Sequence, residues 1–335
     1  MRKFLWLAIA VIVVVAAWTA GWFWAVGEIR GQIETLAAND GESAPKLSCA
    51  TFNVTGFPFR FDLDCAEGTL VEQDLTVTFA GLRASVLVYN PTHAIFSAKG
   101  PFAYADAFSG SQRRLDFTSL DGSLRLVSAD PIKGLSGEGW RLGRFSIEAD
   151  DLAVTDTVAG DVREAAAKHV EAHLVDNPAG LDKTAGTSAV ANYVTVSELD
   201  LPGLQIAGGN VTLEAQLSGL PADLRDFGVA DAIRRWQAAG GELDIVRFSG
   251  SQPNPEERFD VAGKLRLNAA GYPEGEINYT TKGVLERFAD YVPAVQLAIL
   301  RGAPQGEGNF SNTLTITDGQ VKLLTVVFAQ LLPLF

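Results

Sequence analysis

Charge is missing from the stretch Phe4 to Val26, FLWLAIAVIVVVAAWTAGWFWAV, and that gap organises everything after it. About 20 apolar residues cross the hydrocarbon core of a bilayer. A cleaved secretory signal usually carries an apolar region of roughly 7–15 residues before a small-x-small site, and here the nearest such site, after Ala20, would place Trp18 at minus three. Arg2 and Lys3 precede the run and Glu28, Arg30 and Glu34 follow it. The positive-inside rule therefore keeps the N-terminus in the cytoplasm and exports the rest. Trp18, Trp22 and Trp24 crowd the far end, where indoles favour the headgroup layer. The expectation is an uncleaved, single-pass signal anchor, with most of the chain exported.

Basic side chains are also in short supply, 27 against 40 acidic ones for a net charge of −13. That balance excludes nucleic acid as a partner, because phosphate binding depends on basic patches. It also excludes electrostatic docking on anionic headgroups. Only three histidines and two cysteines occur, and no phosphate loop, dinucleotide fingerprint, zinc-protease helix or nucleophile elbow is present. The expectation is a protein that is not an enzyme and uses no cofactor or metal. His169, Glu171 and His173 share one face if they lie on a strand, but the spacing lacks a third ligand cluster and reads as surface histidines. Cys49 and Cys65, an isolated pair at short spacing in an oxidising compartment, read as a disulfide.

Beyond the apolar run, Ile29, Ile33 and Leu36 keep helical spacing, so the helix is expected to continue until Asn39-Asp40-Gly41 breaks it. Ser48 to Cys65 reads as two strands around Gly56-Phe57-Pro58. A three-residue loop centred on Phe57 sets Cys49 opposite Cys65 but pairs Phe52 and Val54 with Asp62 and Arg60. A bulge at Gly56 or a diagonal bridge would resolve the mismatch. From Gly68 to Asp156 short alternating runs follow, with turns expected at Asn90-Pro91 and Asp121-Gly122, the rhythm of antiparallel meanders.

Val54-Thr55-Gly56-Phe57-Pro58-Phe59-Arg60-Phe61-Asp62, followed by Tyr89-Asn90-Pro91-Thr92-His93, resembles a family of membrane-anchored alphaproteobacterial proteins known as domain of unknown function 2125. The likeness spans most of the exported chain; it implies an anchor in a bacterial inner membrane with the bulk of the chain in the periplasm, and carries no catalytic residue. The ending Leu314-Thr315-Ile316-Thr317-Asp318-Gly319-Gln320-Val321-Lys322-Leu323 is similar, more distantly, to the AsmA and YdgA-like envelope proteins, which would imply a role involving lipids.

Phe108-Ser109-Gly110-Ser111-Gln112 recurs as Phe248-Ser249-Gly250-Ser251-Gln252, and Leu124-Arg125-Leu126 as Leu265-Arg266-Leu267. Phe96, Ala98 and Gly100 match Trp236, Ala238 and Gly240 at the same offset. A long-period repeat implies a structural unit used twice. The expected fold is mainly β: an anchor over residues 1–27, a juxtamembrane helix and linker over 28–47, a first β lobe over 48–177, a hinge over 178–192, and a second, similar lobe over 193–335.

The second lobe is expected to carry two amphipathic helices, Asp223–Ala239, with Asp223 as N-cap, and Val284–Leu300. Leu285, Phe288, Val292, Val295 and Ile299 stripe the latter, and Pro293 should kink or divide it. Packed on curved sheets, such stripes would leave an apolar groove for an acyl chain. The apolar ending from Val326 to Phe335 needs a cover from its own lobe, a partner or the bilayer. Two functions follow from this reading. One is handling of lipid or another amphiphile in an apolar groove; the other is an envelope scaffold that engages a second protein.

Overall fold

The computed structural model describes residues 2–128, 139–158, 160–228, 231–289 and 292–335. It is mostly antiparallel β-sheet behind one long apolar helix, with a few short helices besides. Helix α1 is Arg2–Ala38. The strands are β1 (Lys46–Thr55), β2 (Arg60–Glu72), β3 (Leu75–Leu87), β4 (Asn90–Asp106), β5 (Gln112–Asp116), β6 (Ser119–Ser128), β7 (Trp140–Asp156), β8 (Val162–Asp176) and β9 (Thr187–Leu201). They continue as β10 (Ile206–Pro221), β11 (Glu242–Gln252), β12 (Glu257–Leu267), β13 (Pro273–Lys282), β14 (Ala303–Gly306), β15 (Asn309–Thr317), β16 (Gln320–Leu323) and β17 (Val326–Gln330). Two further α-helices are short, α2 (Ala232–Ala238) and α3 (Ala294–Arg301).

The chain divides into two compact units, residues 1–123 with 151–164, and residues 124–150 with 165–335. In the first, β1 to β5 form a meander in which each strand pairs antiparallel with the next. Residues 153–156 of β7 then pair with β5. In the second, β8 to β13 form another meander, and β13 pairs with β15. Strands β14 and β16 pair with opposite ends of β15, and β17 closes the run. Sequential pairing of this kind follows from strands joined by tight turns, which leave no length for a crossover.

Helix α1 ends where the sequence breaks it. Gly41 takes a positive φ of +85°, and the Asp40 carboxylate accepts bonds from the backbone N–H of Glu42 (2.9 Å) and Ser43 (3.0 Å). Together with the Ser43 hydroxyl these bonds lower the Asp40 pKa to about 2.

The first hairpin settles the register by hydrophobic match. Val54 pairs with Leu63 and Phe52 with Cys65, so apolar side chains share a face, and the loop runs from Gly56 rather than centring on Phe57. Cys49 and Cys65 are bridged, with Cα atoms 5.4 Å apart. In the ladder they are not opposed, since Cys49 sits across from Gly68. Glu67, at φ +48°, interrupts the pairing beside them.

Two expectations need correction. The Asp121-Gly122 turn does not form; β6 runs through it, because β5 and β6 follow one another along β4 with only a short break, where the Thr118 hydroxyl donates to Asp151 at 2.9 Å. Neither amphipathic helix is continuous. The first is a 3-10 turn, Leu224–Gly228, and then α2, and Asp223 caps no long helix. Its carboxylate binds the Arg225 side chain (2.7 Å) and N–H (3.0 Å), local bonds that compete with helix, and the distant N–H of Gly139 (2.7 Å). The second is divided, as Pro293 led one to expect, into the turn Val284–Phe288 and then α3, which starts directly after Pro293.

The pentapeptide copies also differ in structure. Phe108 to Ser111 form a turn whose N–H groups at Phe108 and Ser109 donate to Asp106, whereas Phe248 to Gln252 are extended in β11.

Candidate functional site

Two sites emerge, one on the apolar helix and one in the second unit. The first is a collar of aromatic rings where the hairpin loop between β1 and β2 meets α1. Trp22 (7 % exposed) and Val26 (5 %) are among the most buried residues of their unit, packed with Val54, Ile29, Phe52, Phe61 and Val88. Trp22 meets Phe57 edge to face at 5.3 Å, Phe23 stacks on Phe57 at 5.9 Å, and Trp18 faces Phe59 at 6.2 Å. The Trp18 indole donates to the carbonyl of Pro58 at 2.9 Å.

Both halves of the motif singled out in the sequence, Gly56 to Phe61 and Asn90 to His93, come together here. Arg60 pairs with Leu87, Leu87 pairs with Asn90, and the Val88 N–H donates to the Phe59 carbonyl at 2.9 Å. Asn90, Pro91, Thr92 and His93 open β4, and the Thr92 hydroxyl donates to the Asn90 side chain at 3.4 Å.

The second site is a cleft of about 720 Å³. Its walls are Leu199, Leu204, Ile206, Val211, Phe259 and Val284, and its floor is Gly250, Ser251 and Gln252 from β11. Volume and apolar lining match those of small-molecule sites. Gly250 is the residue this floor requires. A Cβ there would lie 2.4 Å from the Phe259 ring, so glycine lets that ring lie flat across the neighbouring strand. Gln252 is 5 % exposed, and among the described residues neither its Oε1 nor its Nε2 has a hydrogen-bond partner.

At the rim, Arg287 donates to Glu257 at 2.6 Å, to the Gln205 carbonyl at 3.2 Å, and also to the Leu204 carbonyl. The guanidinium thus ties the Pro202–Leu204 turn to β12 and has its charge matched within the protein. Arg258 donates to Asn309 at 2.9 Å, and Lys282 pairs with Glu256 at 2.7 Å, lowering the Glu256 pKa. The cleft is therefore apolar in its walls, with Arg287 neutralised by Glu257, Arg258 held by a neutral amide, and the Gln252 amide buried at its floor.

The groove residues expected from the sequence lie elsewhere. Leu285 sits on the short 3-10 turn, Val292 precedes Pro293, and Ile299 lies on α3. Val295 is 74 % exposed, and the side chain of α3 that is buried is Leu297; the side chain of Phe288 lies outside the described residues. Pattern reading missed the cleft because its walls come from β9, β10, β12 and a turn. Its one sequence signal was the pentapeptide ending in Gln252, read as half of a repeat.

His169, Glu171 and His173 do line one face of β8. His169 bridges Asp150 (2.7 Å) and Glu171 (2.9 Å), and His173 lies 3.7 Å from Glu171. These bonds, that to Asp150 first, raise the His169 pKa. Among the described residues no group of three or more such side chains could hold a metal ion.

The apolar C-terminus is held by its own unit. Leu331 and Leu334 donate backbone bonds to Gly319 (2.8 Å) and Gly271 (3.0 Å), and Arg234 lies over the Phe335 ring at 4.5 Å.

Residues 22–331 match the family described as an uncharacterized protein conserved in bacteria, DUF2125, and the chain belongs to that family. No curated protein and no solved structure matches it. The match opens at Trp22, the residue that joins α1 to the hairpin. Helix α1 carries a mean hydropathy of 2.3 over its most apolar window, which suits either a membrane anchor or a signal sequence. The disulfide is consistent with a place outside the cytoplasm.

Proposed function

We propose that this member of a bacterial family is anchored in the inner membrane by α1, faces the periplasm, and binds an amphiphile in the cleft of its second unit. It acts as a binding protein and not as an enzyme. The observation that carries the reading is Gln252, a buried amide with donor and acceptor both unspent at the floor of an apolar cleft. Leaving such a group unpaired costs roughly 1–3 kcal/mol, which a rotation of the side chain that brings its amide to a ligand's donor or acceptor would recover. Arg287 is matched by Glu257 and Arg258 is bonded to the neutral Asn309 amide, so the head group that fits offers hydrogen-bond acceptors, an ester, amide or hydroxyl, with its apolar part along Ile206, Val211 and Phe259. This agrees with the distant likeness to AsmA and YdgA-like envelope proteins.

Integration of α1 into the fold supports an anchor over a removed signal, since Trp22 and Val26 fill the core of the first hairpin. Native mass spectrometry of the full chain released from detergent micelles tests the reading. Wild-type protein is expected to carry an added lipid-sized mass that Ile206→Asp loses; a bare wild-type mass, or the same adduct on both, would overturn it.

A further inference from the structure

We propose that the hairpin tip Gly56 to Phe59, with Tyr89 beside it, is inserted into the periplasm-side leaflet of the bilayer that α1 crosses. The inference rests on the anchored reading of α1 and is independent of the cleft.

Depth is the first argument. The Trp18 indole holds the Pro58 carbonyl, so the tip lies level with Trp18. Trp18 follows Phe4 by 14 residues, about 21 Å of helix at roughly 1.5 Å per residue, whereas the hydrocarbon core is about 30 Å thick. With Phe4 at the cytoplasmic boundary, the tip thus sits about 9 Å inside the far one. Sliding the span until Gly27 marks the far boundary puts Trp18 about 14 Å inside it. Tilting the helix shortens its rise along the normal and moves Trp18 deeper still. Every placement allowed by the charge-free window leaves the tip in lipid.

Composition and hydrogen bonding are the second argument. Phe57, Phe59 and Tyr89 are 49 %, 60 % and 74 % exposed, an expensive surface in water. Gly56 to Phe59 carries no charge. Lipid demands that backbone polar groups be satisfied internally, and the carbonyls here largely are. Gly56 accepts from the Arg60 N–H (3.1 Å), Pro58 from Trp18 (2.9 Å) and Phe59 from the Val88 N–H (2.9 Å). Pro58 itself has no N–H to satisfy. Charge resumes at Arg60, whose carbonyl is held by Trp22, about 27 Å from Phe4 and so about 3 Å inside the boundary, a depth from which a long arginine side chain snorkels to the headgroups. The tip acts as a second, shallow foot that fixes the rotation of the periplasmic sheet about its anchor.

Spin labels on single added cysteines in the full chain, reconstituted into phosphatidylcholine vesicles, test this, since the native pair is bridged and does not label. Phe59→Cys is compared with Val11→Cys, inside the apolar run, and with Phe108→Cys, 88 % exposed on the turn between β4 and β5. The Phe59 label is expected to collide with oxygen over a water-soluble nickel chelate several-fold more than the Phe108 label. Equal accessibility at positions 59 and 108 with a lipid-buried label at 11 would overturn the insertion and leave the anchor standing. A wet label at position 11 would overturn both.

Discussion

The Trp22 indole stacks on the Phe61 ring, centroids 5.6 Å apart and planes 14° apart, while its Nε1 donates to the Arg60 carbonyl at 3.2 Å. One side chain therefore ties the apolar helix to the first strand pair both by ring contact and by a directed bond. Trp22→Ala should destabilise the first unit by about 3–5 kcal/mol, the usual cost of removing a buried large aromatic. Trp22→Phe should recover the stack without the bond. Guanidinium unfolding of the full chain in detergent would show this as a graded loss, alanine far below phenylalanine.

Much of this was legible in the residues, because the signals were periodic. The charge-free run, the helix stop at Asn39-Asp40-Gly41 and the alternation of the strands are local patterns that packing did not overrule. The hairpin register was not legible, because two periods competed there, the cysteine spacing and the apolar alternation of Phe52, Val54 and Leu63. Apolar matching won. The cleft was hidden for a different reason. Its walls are gathered by strand pairing over long sequence distances, and the repeat that drew attention to Gln252 describes two segments of different conformation. The amphipathic stripe over Val284 to Leu300 misled because the segment is divided into the turn Val284–Phe288 and α3 from Ala294, so the stripe never lies on one cylinder.

Gln252→Leu separates binding from stability. Removing an amide that has no partner should raise stability by roughly 1 kcal/mol, since the desolvation penalty goes with it. The same change should abolish the lipid-sized adduct. Thermal unfolding paired with native mass spectrometry reads both, and a variant that loses stability would show that the amide is satisfied in the folded protein.

His169 predicts a pH window. Its pKa is raised, by the bond to Asp150 first and that to Glu171 second, from an ordinary 6.5, and that of Glu171 is lowered from 4.5 chiefly by His169. A raised histidine contributes its stability in full below the unfolded value and loses it as pH climbs through the folded one. The depressed carboxylate contributes above its unfolded value and loses as pH falls. The cluster should therefore stabilise most between about pH 4.5 and 6.5. His169→Gln should flatten this maximum in denaturant midpoints measured from pH 4 to 9, and an unchanged profile would count against it.

Tyr279 sets a second window, at the alkaline end. Its side chain is 9 % exposed, its hydroxyl donates to the Leu300 carbonyl in α3, and burial pushes its pKa from 10.0 up to about 12. Ionisation would place a charge where solvent is scarce and turn a donor into an acceptor facing another acceptor. The folded state holds its proton more tightly than the unfolded chain, so stability is intact below about pH 10 and falls on the way to pH 12. Two pKa units correspond to a loss on the order of 2–3 kcal/mol. Tyr279→Phe gives up the hydrogen bond, about 1 kcal/mol at pH 8, but has no proton to lose. The two stability curves should therefore cross between pH 10 and 12, with the phenylalanine variant the more stable beyond the crossing. Parallel curves would show that the Tyr279 phenol is solvated when α3 is in place.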